Sequence, residues 1–355
     1  MFSGLYFTPN KIMSLESRIQ TAISLGKAIL QQMEEPDFQL TLSRIRNENG
    51  WFSDDNVRNA LQNIVTGYLD ESALRNWQNK YTFQEPIQPK KVGIIAAGNI
   101  PAVSFNDLLC VYLSGHIAQL KLSSTDTHLM LWLIEMLYRL DSEANQRVLV
   151  SERLKDVDAL IATGSDNSAK YFDYYFQHVP KIIRKNRSSL AILTGKESKI
   201  DLANLGNDIF FYFGLGCRNV SKVLVPQNYD FTPFFEAIEY WNTILIHHKY
   251  NNNYSYNKSV LLVNREEHLD NGFLLVRPST QLVSPISVVF HETYSSQEEL
   301  ETILQIHAEK IQCVIGKKEF LPTLPTSLIP FGEAQVPTLL DYADGVDTFA
   351  FLLAL

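Results

Sequence analysis

Apolar residues recur at helical spacing over about the first eighty positions of the chain. Over 14–80 they follow one another three or four positions apart, as in amphipathic helices packed on a core. The segment "QEPIQPKK", with two prolines and two lysines, interrupts this pattern. We therefore predict a helical segment at 1–80 and a boundary after it.

Short apolar runs then alternate with longer helical patterns. The predicted strands are "KVGIIAA", "HIAQLKLS", "DVDALIATG" and "SSLAILTG". The predicted helices are "AVSFNDLLCVYLSG", with Pro101 in its first turn, "STDTHLMLWLIEMLYRL", opened by Ser and Thr caps, and "SDNSAKYFDYYF". This alternation indicates a doubly wound parallel sheet, which binds ligands at the carboxyl ends of its strands. We assign this α/β domain to 81–212.

A second α/β unit is predicted at 213–330. Its strand-like runs are "SKVLVP", "KSVLLV", "GFLLVRP", "ISVVF" and "CVIG", and its helices are "FTPFFEAIEYWNTIL" and "SQEELETILQIHAEK". The tract "YNNNYSYNK" is predicted to be a polar loop. The last segment, 331–355, ends in the apolar "FAFLLAL", and we expect it to return to the first domain or to cover an interface.

Composition narrows the functional classes. The chain has 355 residues, of which 45% are hydrophobic, and a formal net charge of −8, which argues against a nucleic-acid partner. Three scattered cysteines are too few for a disulfide framework or a metal site, so a reducing cytoplasm is expected. The N-terminus lacks the pattern of a secretory signal. The most apolar helical stretch is interrupted by Glu135 and is too short for a membrane span.

Cys217 is the first candidate for chemistry. It follows two glycines in "GLGCRNV", which let the backbone approach a ligand closely, and the adjacent Arg218 favours a thiolate. The alternative is a small apolar residue after a glycine turn, and local features leave both readings open. Cys110 and Cys313 are flanked by apolar residues and are predicted to be core.

Two further candidates lie at strand ends. Lys121 ends "AQLK" and either bonds a ribose or phosphate or is a solvated lysine. The turn "TGSDNS" opens a helix and either holds a phosphate or is a plain helix cap. The first domain contains no G-x-G-x-x-G, so a nucleotide site there has to be built in another way.

In chain order, "GNIP", "LKLSS", "ATGS", "GLGCRNVSKVLV" and "SPISVVF" resemble the aldehyde dehydrogenase superfamily. They are most similar to its acyl-CoA reductase branch, the LuxC-like fatty-acid reductases of bacterial luminescence systems. The likeness spans about 92–331 and is carried by the order and spacing of short motifs. It implies an aldehyde-dehydrogenase-like fold, with 81–212 as the nicotinamide-nucleotide-binding domain and 213–330 as the catalytic domain.

The resemblance also implies a role for each matching residue. Cys217 corresponds to the nucleophile and Asn99 to the asparagine whose amide holds the oxyanion. Lys121 corresponds to the lysine that bonds the adenine ribose. The turn beside the cofactor's phosphates and nicotinamide corresponds to Thr163, Gly164 and Ser165.

Two departures from the superfamily pattern refine these expectations. Aldehyde-oxidising members carry a glutamate that activates water, but the equivalent "HVPKIIRKNRSSLAIL" has basic residues and no carboxylate. Coenzyme A is then the expected acyl acceptor. Where NAD-preferring members have an acidic residue, this chain has Ser123 and Ser124, which leave room for a 2′-phosphate. We therefore expect NADPH as cofactor, with NADH as the alternative.

These implications lead to one expected function and two alternative functions. The expected reaction is reduction of an acyl-CoA thioester to an aldehyde through an acyl-cysteine, with release of coenzyme A. An acyl-phosphate reductase needs an anion site, for which the apolar surroundings of Cys217 give little sign. A cofactor-independent cysteine acyltransferase or thioesterase needs a histidine base, and no recognisable dyad is present. The resemblance also implies a homo-oligomer and leaves open an acyl-delivering partner enzyme.

Overall fold

The computed structural model describes residues 13–355. The beginning of the predicted 1–80 segment, and with it most of the N-terminal stretch scanned for a secretory signal, lies outside the described residues. None of the helices in 13–355 is both long enough and apolar enough to cross a membrane.

The described residues begin with a group of helices, as the apolar spacing predicted. They are α1 (Leu15–Glu34), α2 (Phe38–Glu48), α3 (Asp54–Tyr68) and α4 (Glu71–Gln78). Side chains of Ser14, Ser53 and Asp70 accept backbone N–H groups at the starts of α1, α3 and α4, which satisfies donors that have no partner inside the helix. Their apolar faces pack into the core that also contains the first sheet.

The first sheet is parallel throughout. Its strands are β1 (Lys91–Ile95), β2 (Ile117–Lys121), β3 (Val148–Val150), β4 (Ala159–Thr163) and β5 (Lys181–Arg184), in the order β3-β2-β1-β4-β5. The helices between them are α5 (Phe105–Ser114), α6 (Thr127–Leu140), α7 (Ala144–Arg147) and α8 (Asp166–Tyr175). The chain runs to one side of β1 and then crosses to the other. The carboxyl end of β1 is therefore a topological switch point, where such sheets bind ligands.

The second sheet has the order β11-β6-β7-β10-β9-β8. Its strands are β6 (Ser188–Ile192), β7 (Val220–Pro226), β8 (Leu269–Asp270), β9 (Leu275–Pro278), β10 (Val288–Tyr294) and β11 (Ile311–Ile315). All pairs are parallel except β8 with β9. The helices of this unit are α9 (Lys199–Phe210), α10 (Thr232–Ile238), α11 (His248–Asn264) and α12 (Gln297–His307), and α13 (Thr348–Leu353) ends the chain.

One predicted strand belongs to the other sheet. The run "SSLAILTG", assigned to the first domain, forms β6, which pairs with β7 and β11 in the second sheet. The chain therefore changes sheets at 185–187, well before the predicted boundary at 212. All five residues of β6 are buried, and a uniformly buried strand carries no signal of the sheet it joins.

The tract predicted as a polar loop followed by a strand is instead the helix α11. Both "YNNNYSYNK" and "KSVLLV" lie within it, so both predictions are wrong. Contacts with the second sheet hold this asparagine-rich helix. The Tyr250 hydroxyl donates to the Phe273 carbonyl at 3.0 Å, and the Asn257 amide donates to the Ile286 carbonyl at 2.9 Å. Tertiary bonds thus override weak helix propensity.

Two predicted helix starts are also wrong. α5 begins at Phe105, so Pro101 precedes the helix and does not lie in its first turn. α6 begins at Thr127 after Asp126, and no serine or threonine caps it. The Asp126 carboxylate instead accepts the N–H of Ala102 at 2.9 Å, which holds the loop after β1. A buried tertiary contact here replaces the local cap that the sequence suggested.

The C-terminal segment returns to the first unit, which is one of the two arrangements that the sequence left open. Phe349 of α13 is buried, with its ring centroid 4.4 Å from that of Trp77 and 4.9 Å from that of Tyr81. Arg184 at the end of β5 donates to the Thr348 hydroxyl at 2.7 Å. These contacts draw the preceding residues across the gap between the two sheets.

Replacing Phe349 with alanine should strongly destabilise the protein. The change removes a buried aromatic ring and leaves a cavity, which costs about 3–5 kcal/mol of the free energy of unfolding. Urea unfolding followed by tryptophan fluorescence measures the loss. Ile246→Ala is the matched control, because Ile246 is 84% exposed and its truncation should cost no more than about 0.5 kcal/mol. Equal losses in the two variants would contradict the described packing of α13.

Candidate active site

A cavity of about 180 Å³ lies where the two units meet, and Cys217 lines it. The loop after β1, the ends of β4 and β5, the loop before β7 and the C-terminal segment all contribute to its wall. Of the eight residues singled out from the sequence, the structure brings together Asn99, Thr163 and Cys217 here. The others lie outside this cavity, namely Lys121, Ser123, Ser124, Gly164 and Ser165.

An unusual backbone turn delivers Cys217 to the cavity. Tyr212, Phe213 and Gly214 are consecutive left-handed residues, with φ of 53°, 57° and 77°. This conformation costs free energy for tyrosine and phenylalanine, and persists only where the surroundings impose it. The ring of Phe213 stacks on His247 with centroids 4.1 Å apart, which fixes one side of the turn.

The side chain of Asn219 fixes the other side of this turn. Its amide donates to the carbonyls of Asp208 and Phe211 at 3.0 and 2.8 Å, and its oxygen accepts the Gly216 N–H at 2.8 Å. A Cβ on Gly216 would lie 2.9 Å from that oxygen. The glycines before Cys217 thus serve the turn itself, with Gly214 in the left-handed region and Gly216 against Asn219. The close approach to a ligand predicted from "GLGC" stays a prediction.

Burial raises the pKa of the Cys217 thiol above its ordinary value, and the negative charge of Asp344 raises it further. The backbone N–H and the guanidinium of Arg187 act in the opposite direction. The adjacent Arg218 was predicted to favour the thiolate, but it donates to the Ala334 carbonyl and lies 3.9 Å from Asp341. The cation that stabilises a thiolate here is therefore Arg187, and the prediction for Arg218 is wrong.

Asn99 faces the same loop. Its side-chain nitrogen donates to the Leu215 carbonyl at 2.8 Å, two residues before Cys217. A primary amide has two N–H groups, so one donor tethers the side chain and the second remains for a further acceptor. An amide held against the cysteine loop, in the cavity that Cys217 also lines, suits the stabilisation of an oxyanion formed on a cysteine thioester.

The cavity wall is richer in charge than the sequence suggested. Arg184 forms a buried ion pair with Asp107, the exposed Lys185 lies beside it, and Asp341 and Asp344 come from the C-terminal segment. The predicted apolar surroundings of Cys217 are therefore wrong. No pattern in the sequence joins these five positions, because they come from three distant segments. Of the described residues that line the cavity, none is a histidine.

Lys121 and Ser124 lie at the switch point of the first sheet. Lys121 ends β2 and pairs with Ile95 at the end of β1, and both Lys121 and Ser124 are exposed. The hydroxyl of Ser123, by contrast, is bonded to Thr125 at 2.9 Å. A cation and a free hydroxyl at the carboxyl ends of parallel strands fit the ribose and phosphate groups of a nucleotide.

The turn after β4 acts mainly as a helix cap. The N–H of Gly164 donates to the Arg184 carbonyl at 3.1 Å, and the Ser165 hydroxyl accepts the Ser168 N–H at 3.2 Å. These groups already have partners, so the plain-cap interpretation describes Ser165 in this structure. Thr163 is the member of the turn that faces the cavity of Cys217. Within 13–355, no group of three or more His, Cys, Asp or Glu side chains is placed to hold a metal ion.

The architecture matches solved aldehyde dehydrogenases. An NAD-dependent aldehyde dehydrogenase from Sinorhizobium meliloti aligns with a TM-score of 0.63 and 15% identity over 88% of this chain and 73% of its own. A propionaldehyde dehydrogenase from the Clostridium phytofermentans fucose utilisation bacterial microcompartment aligns with a TM-score of 0.60 and 9% identity, over 92% of this chain and 82% of its own. An oxidoreductase from Marinobacter aquaeolei aligns with a TM-score of 0.66 and 12% identity, over 91% of this chain and 79% of its own.

These TM-scores show a shared fold, which confirms the predicted aldehyde-dehydrogenase-like α/β class. No protein-family model matches the sequence, and no curated protein matches it either.

Alkylation of Cys217 by iodoacetamide should rise steeply on the alkaline side of neutrality. Its thiol pKa lies above the ordinary value of about 8.5, so the reactive thiolate is the minor form at pH 7 and increases about tenfold per pH unit below that pKa. Mass spectrometry of the native protein across pH 6–10 measures the rate, with Cys217→Ser as control. The buried Cys110 and Cys313 should stay unmodified. A rate plateau reached below pH 7 would contradict a raised pKa.

Proposed function

We propose that this protein is an NADPH-dependent acyl-CoA reductase of the aldehyde dehydrogenase superfamily, with Cys217 as its nucleophile. The observation that carries the proposal is the cavity in which the Cys217 thiol, the Asn99 amide and the end of β4 at Thr163 meet. A thiol beside a tethered amide donor suits acyl transfer to sulfur. The fold, shared with a propionaldehyde dehydrogenase among others, supports the same class.

In the first half-reaction, the Cys217 sulfur attacks the thioester carbonyl and forms an acyl-cysteine. The free N–H of the Asn99 amide and the backbone N–H of Cys217 donate to the oxyanion, and one such donor lowers the barrier by about 3–4 kcal/mol. Coenzyme A then leaves as a thiol. The polar donors of the cavity hold the acyl carbonyl in place for the second half-reaction.

Lys121 and Ser124 at the switch point would hold a nicotinamide nucleotide, with the adenine ribose beside Lys121. The bound nucleotide would supply the hydride that reduces the acyl-cysteine to the aldehyde. The exposed Ser124 leaves space for a 2′-phosphate, which favours NADPH over NADH. The resemblance also supports a homo-oligomeric enzyme.

Coenzyme A is favoured as the acyl acceptor over water. The segment that carries the water-activating glutamate in aldehyde-oxidising enzymes contributes Arg184 and Lys185 to the cavity in this protein. Cations do not deprotonate water, so this segment does not activate a water molecule against the acyl-cysteine. Thioester chemistry is then the reaction that the site supports best.

A second candidate follows from the charge of the cavity wall. The exposed Lys185 and the neighbouring Arg184 provide the cations that an acyl phosphate requires, so an acyl-phosphate reductase stays the runner-up. Its signature is turnover that depends on inorganic phosphate in the oxidative direction and is independent of coenzyme A. The cofactor-independent acyltransferase is disfavoured, because none of the described residues lining the cavity is a histidine.

NADPH oxidation with acyl-CoA esters from acetyl to palmitoyl tests the proposal directly. Absorbance should fall in an acyl-CoA-dependent manner with wild-type protein, and Cys217→Ala should abolish the reaction because no acyl-enzyme forms. Asn99→Ala should lower kcat on the order of 100- to 1,000-fold, since one oxyanion donor is lost.

Thr163→Ala is the matched control, because it truncates a cavity-lining side chain that is not assigned to the acyl transfer. It should retain acylation by acyl-CoA in the absence of nucleotide. Undiminished turnover in Cys217→Ala would contradict the covalent mechanism. Absence of turnover with every acyl-CoA and both nucleotides would overturn the proposed substrate class.

Ser124→Glu should shift the nucleotide preference towards NADH. A carboxylate at this exposed position repels a 2′-phosphate and accepts a hydrogen bond from a 2′-hydroxyl, so kcat/KM for NADPH should fall about tenfold or more relative to NADH. Ser123→Ala is the control, because the Ser123 hydroxyl is bonded to Thr125. An unchanged preference ratio in Ser124→Glu would remove this position from the nucleotide site.

A further inference from the structure

Asp344 places a carboxylate at the cavity of Cys217, although it lies more than a hundred residues away in the sequence. It occupies the turn Ala343–Gly345 with φ of 58°, and Gly345 follows with φ of 71°. Aspartate is one of the few residues that adopt this left-handed conformation readily. The turn directs its side chain into the wall that also contains Cys217, and only 12% of that side chain is exposed.

Arg187 connects Asp344 to the strand that lies beside the cysteine loop. Its Nε lies 3.3 Å from the Asp344 Oδ1. Two residues further along the chain, the Ser189 hydroxyl donates to the Cys217 carbonyl at 3.0 Å. Asp344 and Cys217 both line the cavity, so the carboxylate and the thiol share one enclosed space.

The other two carboxylates of the cavity, like Asp344, have partners of their own. Asp107 is paired with the buried Arg184. Asp341 accepts both the N–H and the hydroxyl of Thr338, at 2.8 and 2.7 Å. Asp344 is also the carboxylate whose charge raises the pKa of the Cys217 thiol. Asp344 is therefore the carboxylate best placed for exchange of a proton with that thiol.

The surroundings of Asp344 also suit a group that gains and loses a proton. Burial raises the pKa of its carboxyl above the ordinary value, and the negative charge of Asp107 acts in the same direction. The guanidinium groups of Arg187 and Arg184 oppose this rise. A carboxyl with a raised pKa is closer in proton affinity to a thiol, which makes transfer between the two less costly.

We propose that Asp344 accepts the proton of the Cys217 thiol as the sulfur attacks the thioester, and then donates it to the sulfur of the departing coenzyme A. The step rests on the proposed function. One S–H bond of Cys217 breaks, one carbon–sulfur bond forms and one breaks, and coenzyme A leaves as a neutral thiol. No oxidant or reductant takes part, and Asp344 ends the half-reaction as it began, as a carboxylate.

This assignment places the base on a different segment from the one that carries a glutamate in aldehyde-oxidising relatives. A carboxylate from the C-terminal turn, paired with Arg187, serves a thiol on both sides of the acyl transfer. The absence of a carboxylate from 178–193 then no longer implies that the site has no base.

Two rates measured on Asp344→Asn test the proposal. Asparagine adopts the left-handed conformation readily and has nearly the shape of aspartate, so the turn should be retained. The first rate is acylation of Cys217 by the acyl-CoA ester that wild type uses best, without nucleotide, by rapid quench and intact-protein mass. The second is alkylation by iodoacetamide across pH 6–10. Asp341→Asn is the matched control on the same segment.

The two rates should move in opposite directions. Acylation should slow on the order of 100-fold, because the proton acceptor is lost. The alkylation profile should shift to lower pH, because removal of a negative charge beside the thiol favours the thiolate. Asp341→Asn should leave both rates close to those of wild type. A merely structural role for Asp344 does not produce this divergence.

Three results would overturn the role of Asp344 while leaving the proposed function intact. The first is an unchanged acylation rate in Asp344→Asn, and the second is a fall of both the acylation and the alkylation rate in that variant. The third is an equal change of both rates in Asp341→Asn. Loss confined to hydrolysis of a preformed acyl-enzyme would overturn it too, because it would make Asp344 a base for water. Wild-type protein that no acyl-CoA acylates would overturn the proposed function, and this step with it.

Discussion

The chain passes from β5 of one sheet to β6 of the other within residues 185–187, and the candidate site depends on this crossing. Because the connection is so short, Arg184 and Arg187 are held between the two units. Arg184 pairs with Asp107 and bonds Thr348, while its carbonyl accepts the N–H of Gly164 after β4. Arg187 pairs with Asp344, which lines the cavity of Cys217. One short segment thus ties together the first sheet, the cysteine loop and the C-terminus.

The cysteine loop itself depends on a buried asparagine. Three consecutive left-handed residues are costly, and the bonds of Asn219 to carbonyls on one side and to Gly216 on the other offset that cost. The strain is local and lies directly before Cys217, the proposed nucleophile, where it sets the direction of that side chain. Asn99 then approaches from the first unit and bonds the Leu215 carbonyl, so the two units share one reaction site.

The Cys217 thiol is protonated at rest, and nearby charges act on its pKa in opposite directions. Burial keeps the Cys217 proton in place, and the opposing effects of Asp344 and Arg187 act on the same sulfur. Asp344 reaches the cavity because α13 is anchored in the first core through Phe349. Packing at the chain's end is therefore linked to chemistry at the cysteine, through a segment that carries no recognisable motif.

The sequence by itself determined the fold class, most of the strands and the candidate thiol, because hydrophobic periodicity and short turn motifs are local. It also located Lys121 at a strand end, where parallel sheets bind ligands, whereas Asn99 was singled out by the resemblance alone. It failed wherever a partner distant in the chain decides the outcome: the helix at α11, the sheet that β6 joins, and the cation beside Cys217. Only the tertiary structure brought Asp344 to the cavity of Cys217 and paired it with Arg187, because pairing of charges from separate segments depends on proximity in space, which local pattern does not encode.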